Sequence, residues 1–199
     1  MQTYTLTEDE QDVLQELMNI AYGNATAVVA DMIDAFASLS IPNIRIEKVS
    51  ELLSTFEQLK SDSYFFSTQA FTGELSGESA FFINEESANN LAKHLELEDE
   101  ADLDDAILEL TNVLTSSLTT KLSQEMQTEV SFSLPSITKL PLDEISKIQS
   151  FQKYSQVIVI DTDLDFQDQK IKGKIFILTK DESILWLKTK LNNILEQLI

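Results

Sequence analysis

A pattern of residues recurs in this chain after 93 positions, and that recurrence narrows the possible folds more than composition does. The stretch Leu14-Gln15-Glu16-Leu17-Met18-Asn19-Ile20-Ala21 has a later counterpart in Ile107-Leu108-Glu109-Leu110-Thr111-Asn112-Val113-Leu114, with the same offset for Glu (109 − 16) and for Asn (112 − 19). Residues three apart in a helix share a face. The polar stripe of the first copy therefore reads Asp12, Glu16, Asn19, Gly23, Thr26, and that of the second Asp105, Glu109, Asn112, Ser116, Thr119. Both stripes become small toward their ends, which would let a partner surface approach. The opposite stripe of the first copy, Leu14, Leu17, Met18, Ala21, Ala25, Val28, Val29, Met32, has the spacing of a core face.

Taken in order, the chain predicts two equivalent series of elements. Thr7 before Glu8, Asp9 and Glu10 has the form of a capping box, opening a helix that is expected to run to about Phe36. Pro42 precedes a strand through Ile44 and Ile46, then a short helix from Ser50 to Leu59. A strand from Ser63 to Thr72, a turn at Gly73–Gly77 and a returning strand from Glu78 to Ile83 follow. Asn84 caps a helix through Leu95. The acidic stretch from Glu96 to Asp105 is read as a junction, after which the series repeats. It comprises a helix from about Asp102 to Met126, a strand at Val130, Phe132 and Leu134, and a short helix from Asp143 to Phe151. Strands at Gln156–Ile160 and Ile171–Leu178 and a helix opened by Lys180-Asp181-Glu182-Ser183 complete it. Pro135 lies 93 after Pro42; Gly173 lies 96 after Gly77, so the second hairpin region is longer by three. The expectation is an α+β fold of two duplicated α-β-α-β-β-α halves, about 7–97 and 102–199, in one domain. A pseudo-two-fold would relate them around a largely antiparallel sheet.

Composition removes several classes of function. The formal net charge is −20, which disfavours nucleic acid and anionic membrane surfaces, since both recruit Lys and Arg. There is no cysteine, so disulfides and thiolate chemistry are excluded. No apolar run approaches the ~20 residues needed to span a bilayer, and the N-terminus lacks the pattern of a signal peptide. The expectation is a cytoplasmic chain without membrane insertion.

Other candidate sites are weak. A single Glu-x-x-Asn pair is ordinary solvated helix surface. Its repetition at equivalent positions, with a poor helix former at mid-helix both times, sets these pairs apart. The acidic tract reads as a solvated junction. Asp161-Thr162-Asp163-Leu164-Asp165 begins like a calcium loop but has Phe166 and Lys172 where that loop needs Gly and Glu. His94, the one histidine, is expected on a helix surface, and no metal set is expected. No nucleophile elbow, P-loop or dinucleotide motif occurs. Phe65, Phe66, Phe71, Phe81 and Phe82 read as core.

Leu6-Thr7-Glu8 leading into Glu16-x-x-Asn19-Ile20-x-x-Gly23-Asn24-Ala25, with Glu109-x-x-Asn112-Val113 later, resembles the CheC–FliY–CheX phosphatases of chemotaxis, and the CheC-like members best. The resemblance implies a pseudo-symmetric fold with long helices exposing two sites, and hydrolysis of the phosphoaspartate of a CheY-type receiver domain. It implies that Asn19 and Asn112 each hold a water in line with the acyl phosphate, and that Glu16 and Glu109 each pair with a lysine of the receiver. Asp12, Gly23, Thr26, Asp105, Ser116 and Thr119 would form the docking surface. The receiver would bring its own Mg ion, this chain supplying no cofactor, and CheD is a possible second partner. Leu114-Thr115-Ser116-Ser117 replaces Ala21-Tyr22-Gly23-Asn24 in the second copy, so a receiver would dock less closely there. The alternative is a non-catalytic flagellar-switch or adaptor module binding a receiver or CheD.

Overall fold

The computed structural model describes residues 4–56, 63–141, 156–179 and 181–198. Its elements run α1 (Glu8–Ile33), β1 (Ser38–Leu39), β2 (Asn43–Lys48), α2 (Val49–Phe56), β3 (Ser63–Gly73), β4 (Gly77–Asn84) and α3 (Glu85–His94). They continue as α4 (Glu100–Glu125), β5 (Val130–Phe132), β6 (Ser136–Pro141), β7 (Gln156–Phe166), β8 (Ile171–Thr179) and α5 (Asp181–Leu198). The fold is α+β, with an eight-stranded sheet in the order β1-β7-β8-β4-β3-β5, β2 also pairing with β7 and β6 with β3, every pair antiparallel.

The register carries the sequence offset. Ile44 lies opposite Ile160, and 93 residues from each, Ile137 lies opposite Ser67. Ser38 faces Asp165 just as Ser131 faces Thr72. In each case the short strands of one series lie along the long strand of the other. At the centre, β4 pairs with β8 so that Ala80 faces Phe176, two residues 96 apart, and the pairing reads alike in both directions from that point. Because the two series exchange strands, neither completes its own sheet.

Alternation along the strands splits the core in two. Phe65, Phe71, Phe81, Ile83, Ile158, Ile160, Ile175 and Ile177 pack with α1, α3, α4 and α5. Their neighbours Phe66, Ala80, Phe82, Val157, Val159, Phe176 and Leu178 pack with Val49 and Leu52 of α2 on the other face. A sheet buried on both faces explains why these strands are apolar almost without interruption.

Several boundaries differ from the sequence reading. Helix α1 ends three residues early, where Asp34 turns left-handed (φ 51°) and its N–H returns to the last helical turn. Helix α4 starts at Glu100 because the Asp99 side chain accepts from the Asp102 backbone N–H, so part of the acidic junction is helix. Leu134 lies beyond β5 and is 91% exposed. Strand β7 continues through the abortive calcium loop, where Asp163 and Asp165 pair with Lys174 and Lys172, each at 3.3 Å. His94 is half-buried, its Nε2 donating to the Ile33 carbonyl at 2.8 Å and so closing the end of α1. Val28 is 40% exposed. Buried positions 21, 25, 29 and 33 step by four, which turns the stripe by about 40° each time and carries it away from Val28. The short helix expected at Asp143–Phe151 and the end of that at Ser50–Leu59 lie outside the described residues.

Candidate functional site

The two polar stripes stand on α1 and α4, which pack against each other. Helix α1 is started by a complete capping box. The Glu10 N–H donates to the Thr7 hydroxyl at 3.2 Å and the Thr7 N–H to the Glu10 carboxylate at 2.8 Å. Leu14, Met18, Ala21 and Ala25 fill the core side, which turns Asp12, Glu16, Asn19 and Gly23 to solvent. Thr26 is half-buried, its hydroxyl donating to the Tyr22 carbonyl at 2.8 Å. The space beside Gly23 is open: apart from its chain neighbours and the adjacent helix backbone, no heavy atom of the described residues lies within 4 Å of where a Cβ would sit. The close approach that this glycine would permit is not made by the described residues of the chain itself.

On α4, Leu103, Ile107, Leu110, Leu114 and Leu118 form the core side, leaving Asp105 and Glu109 exposed and Asn112 and Ser116 half-buried. Thr119 is a correction. It is 1% exposed, with its hydroxyl donating to the Thr115 carbonyl at 2.6 Å, and cannot belong to a docking surface. Helix α4 packs against α1 and also against β3, β5 and β6. Its small polar residues, Thr111, Thr115, Thr119 and Ser123, are therefore interior. Thr111 and Thr119 turn their hydroxyls onto the carbonyls four residues back, the usual outlet for a buried threonine in a helix.

The carboxamides differ in surroundings. Asn19 accepts from Gln15 Nε2 at 3.3 Å, an exposed contact within α1. Asn112 accepts at 2.9 Å from Gln69 Nε2 on β3, a residue 2% exposed that the sequence reading did not single out. A lone Gln in an aromatic strand was the available signal. Beyond both pairs, a cleft of about 420 Å³ runs between the helices, lined by Asn24, Ser116, Ser117, Thr120, Lys121 and Gln124. At the start of the second stripe, burial first and then the charges of Glu100 and Asp105 push the Asp104 carboxyl above its ordinary range, Lys139 offsetting part of this. Among the described residues no three His, Cys, Asp or Glu side chains converge as metal ligands, and no helix is long and apolar enough to cross a membrane.

The family model described as chemotaxis phosphatase CheX matches residues 65–160, a span that holds Glu109, Asn112 and Gln69. The CheY-P phosphatase CheC of Bacillus subtilis (strain 168) is 24% identical over 197 residues, covering 89% of this chain and 91% of that protein. The chain is thus similar to the CheC–FliY–CheX family in sequence and in fold. Among solved structures, FliY of Thermotoga maritima superposes with a TM-score of 0.74 at 19% identity, covering 94% of this chain and 98% of that one. A chain of the CheX–CheY–BeF3–Mg complex from Borrelia burgdorferi superposes with a TM-score of 0.55 at 11% identity, covering 82% of this chain and 98% of that one. FliM middle domains share the fold as well.

Proposed function

We propose that this chain hydrolyses the phosphoaspartate of a CheY-type receiver domain, using Glu16 with Asn19 and Glu109 with Asn112. The observation that carries the reading is the recurrence of a carboxylate and a carboxamide, three residues apart, on α1 and α4, both exposed in the first pair, with Glu109 exposed and Asn112 half-buried in the second. An amide both donates and accepts, so Asn19 or Asn112 can hold a water against the acyl phosphate. The neighbouring carboxylate can pair with a lysine of the receiver and fix the two proteins in register. The receiver brings the Mg ion that its phosphoryl group requires. Such positioning suffices on energetic grounds, because a hundredfold acceleration needs only about 2.7 kcal/mol. With a charge of −20, docking relies on local contacts and gains little from long-range attraction.

The test measures phosphate loss from a phosphorylated CheY-type receiver in Mg2+, with and without the chain. Acceleration is expected, together with its loss in the Asn19→Ala/Asn112→Ala double variant while receiver binding persists. A double variant as active as the parent removes these residues from the chemistry. Binding without acceleration by the parent chain identifies the adaptor alternative.

A further inference from the structure

We propose that Gln69 is a positioning residue for Asn112, turning the amide nitrogen of that side chain toward the docking surface. The inference rests on the reading of the second pair as catalytic. Gln69 Nε2 donates to two acceptors at 2.9 Å, the Asn112 Oδ1 and the backbone carbonyl of Ser133. A backbone carbonyl can only accept, so the atom of Gln69 facing Ser133 has to be the nitrogen. With both of its N–H groups spent on these two acceptors, Gln69 requires an oxygen from Asn112 as well. The orientation of two amides, ordinarily ambiguous, is thus set by one main-chain oxygen. Nδ2 of Asn112, with no acceptor among the described residues, is left as the free end, a double donor suited to a water or to a phosphoryl oxygen.

The equivalent position in the other series makes the role specific. Ninety-three residues after Gln69 stands Thr162, and 93 before Ser133 stands Ser40. The Thr162 hydroxyl donates to the Ser40 carbonyl at 2.7 Å, as Gln69 does to that of Ser133. The flanking bonds match too. The Ser133 N–H donates to the Ala70 carbonyl at 3.0 Å and the Ser40 N–H to the Asp163 carbonyl at 2.9 Å. In return the Ala70 and Asp163 N–H groups donate to the two serine hydroxyls, at 3.2 and 2.9 Å. Holding this turn therefore requires only a threonine. The extra length of Gln69 serves the bond to Asn112, and Asn19 has instead its own helix neighbour Gln15.

Gln69→Thr separates the two roles, since it can keep the turn and cannot reach Asn112. The experiment uses the full chain in an Asn19→Ala background, so that the second pair alone is read. Expected are a fall in kcat of about tenfold with little change in KM for the phosphorylated receiver, and a shift of the Asn112 side-chain 15NH2 resonances, identified by their loss in Asn112→Ala. Unchanged kcat together with unmoved resonances overturns the proposal. If Gln69→Thr does not fold, the parent chain decides. There the Asn112 amide is expected to be more rigid than that of Asn19 in relaxation measurements, and equal mobility overturns the proposal. If the parent chain fails to accelerate phosphate loss, the phosphatase reading falls, and the resonances still judge Gln69.

Discussion

Lys188 of α5 donates from its ammonium group to the carboxylate of Glu10 in the first turn of α1, fastening these two helices to each other. Glu10 is 2% exposed. Its oxygens also accept from the Thr7 N–H at 2.8 Å and from Asn192 Nδ2 at 2.9 Å. Burial pushes this carboxyl upward, but the bonds to Lys188, Thr7 and Asn192 outweigh it and hold Glu10 below its ordinary value of 4.5. A buried carboxylate with all its donors in place is favourable, and one stripped of its cation is costly. Counted through the offsets, Glu10 corresponds to Leu103 and Lys188 to Ala92, so the other helix pair has no such fastening.

Lys188→Met is expected to destabilise the chain by about 2 kcal/mol, the usual scale for a lost hydrogen bond to a charged group, as read by urea unfolding at neutral pH. The pH dependence has a definite sign. A carboxyl lowered on folding contributes stability that is complete above 4.5 and is lost as pH falls through its lower folded value. Glu10→Gln should be less stable than the parent at neutral pH and should lack this share of the acid-induced loss. An equal decline with pH in both would detach Glu10 from it.

Asp104 carries the opposite sign. Its carboxyl is raised by burial and by Glu100 and Asp105, so the folded chain is penalised for holding it ionised, and the penalty is relieved as pH falls toward the ordinary carboxylate range. Asp104→Asn is expected to raise the unfolding midpoint at neutral pH, with an advantage that shrinks on acidification. An advantage constant with pH would point to packing instead of charge.

The spacing of equivalent strand pairings was legible because it is written in residue identity. The Glu/Asn pairs, Pro42 with Pro135 and Gly77 with Gly173 gave the offsets that the strand register carries. Strand exchange was not legible, since Ile44 opposite Ile160 and Ile44 opposite a strand of its own series would leave the same alternation. Thr119 was misplaced for a related reason. Helical spacing gives direction from the axis but not which neighbours lie there, and α4 meets both α1 and the strands β3, β5 and β6. Gln69 escaped notice because its meaning depends on Asn112, 43 residues away, and on a main-chain oxygen that no sequence displays.

Two glycines should respond oppositely to alanine. At Gly77 a Cβ would overlap the Leu178 carbonyl oxygen across the central strand pair, so Gly77→Ala is expected to cost several kcal/mol or to prevent folding, on the scale of overpacked cores and displaced backbone. At Gly23 the space is open and the backbone is helical, so Gly23→Ala is expected to stabilise by up to about 1 kcal/mol. Thermal unfolding compares them directly. If a receiver comes close at the first pair, Gly23→Ala will also weaken its binding there while the fold gains stability. A stabilised variant with unchanged affinity in an Asn112→Ala background would remove Gly23 from the docking surface.

Loss of either asparagine alone should not be equivalent to loss of the other. Asn112 is half-buried and held from outside its helix by Gln69 at 2.9 Å, whereas Asn19 is exposed and, among the described residues, its side chain is hydrogen-bonded to Gln15 at 3.3 Å. An oriented amide has less freedom to lose when the receiver arrives, and pre-paid orientation appears in the rate. Asn112→Ala is therefore expected to slow receiver dephosphorylation several-fold more than Asn19→Ala, and Gln15→Ala to change it little. The closer docking expected at the first pair from Gly23 works in the other direction, through KM. Steady-state rates over a range of phosphorylated receiver separate the two: the Asn112 effect should lie in kcat, and a larger kcat loss in Asn19→Ala would reverse the order assigned here.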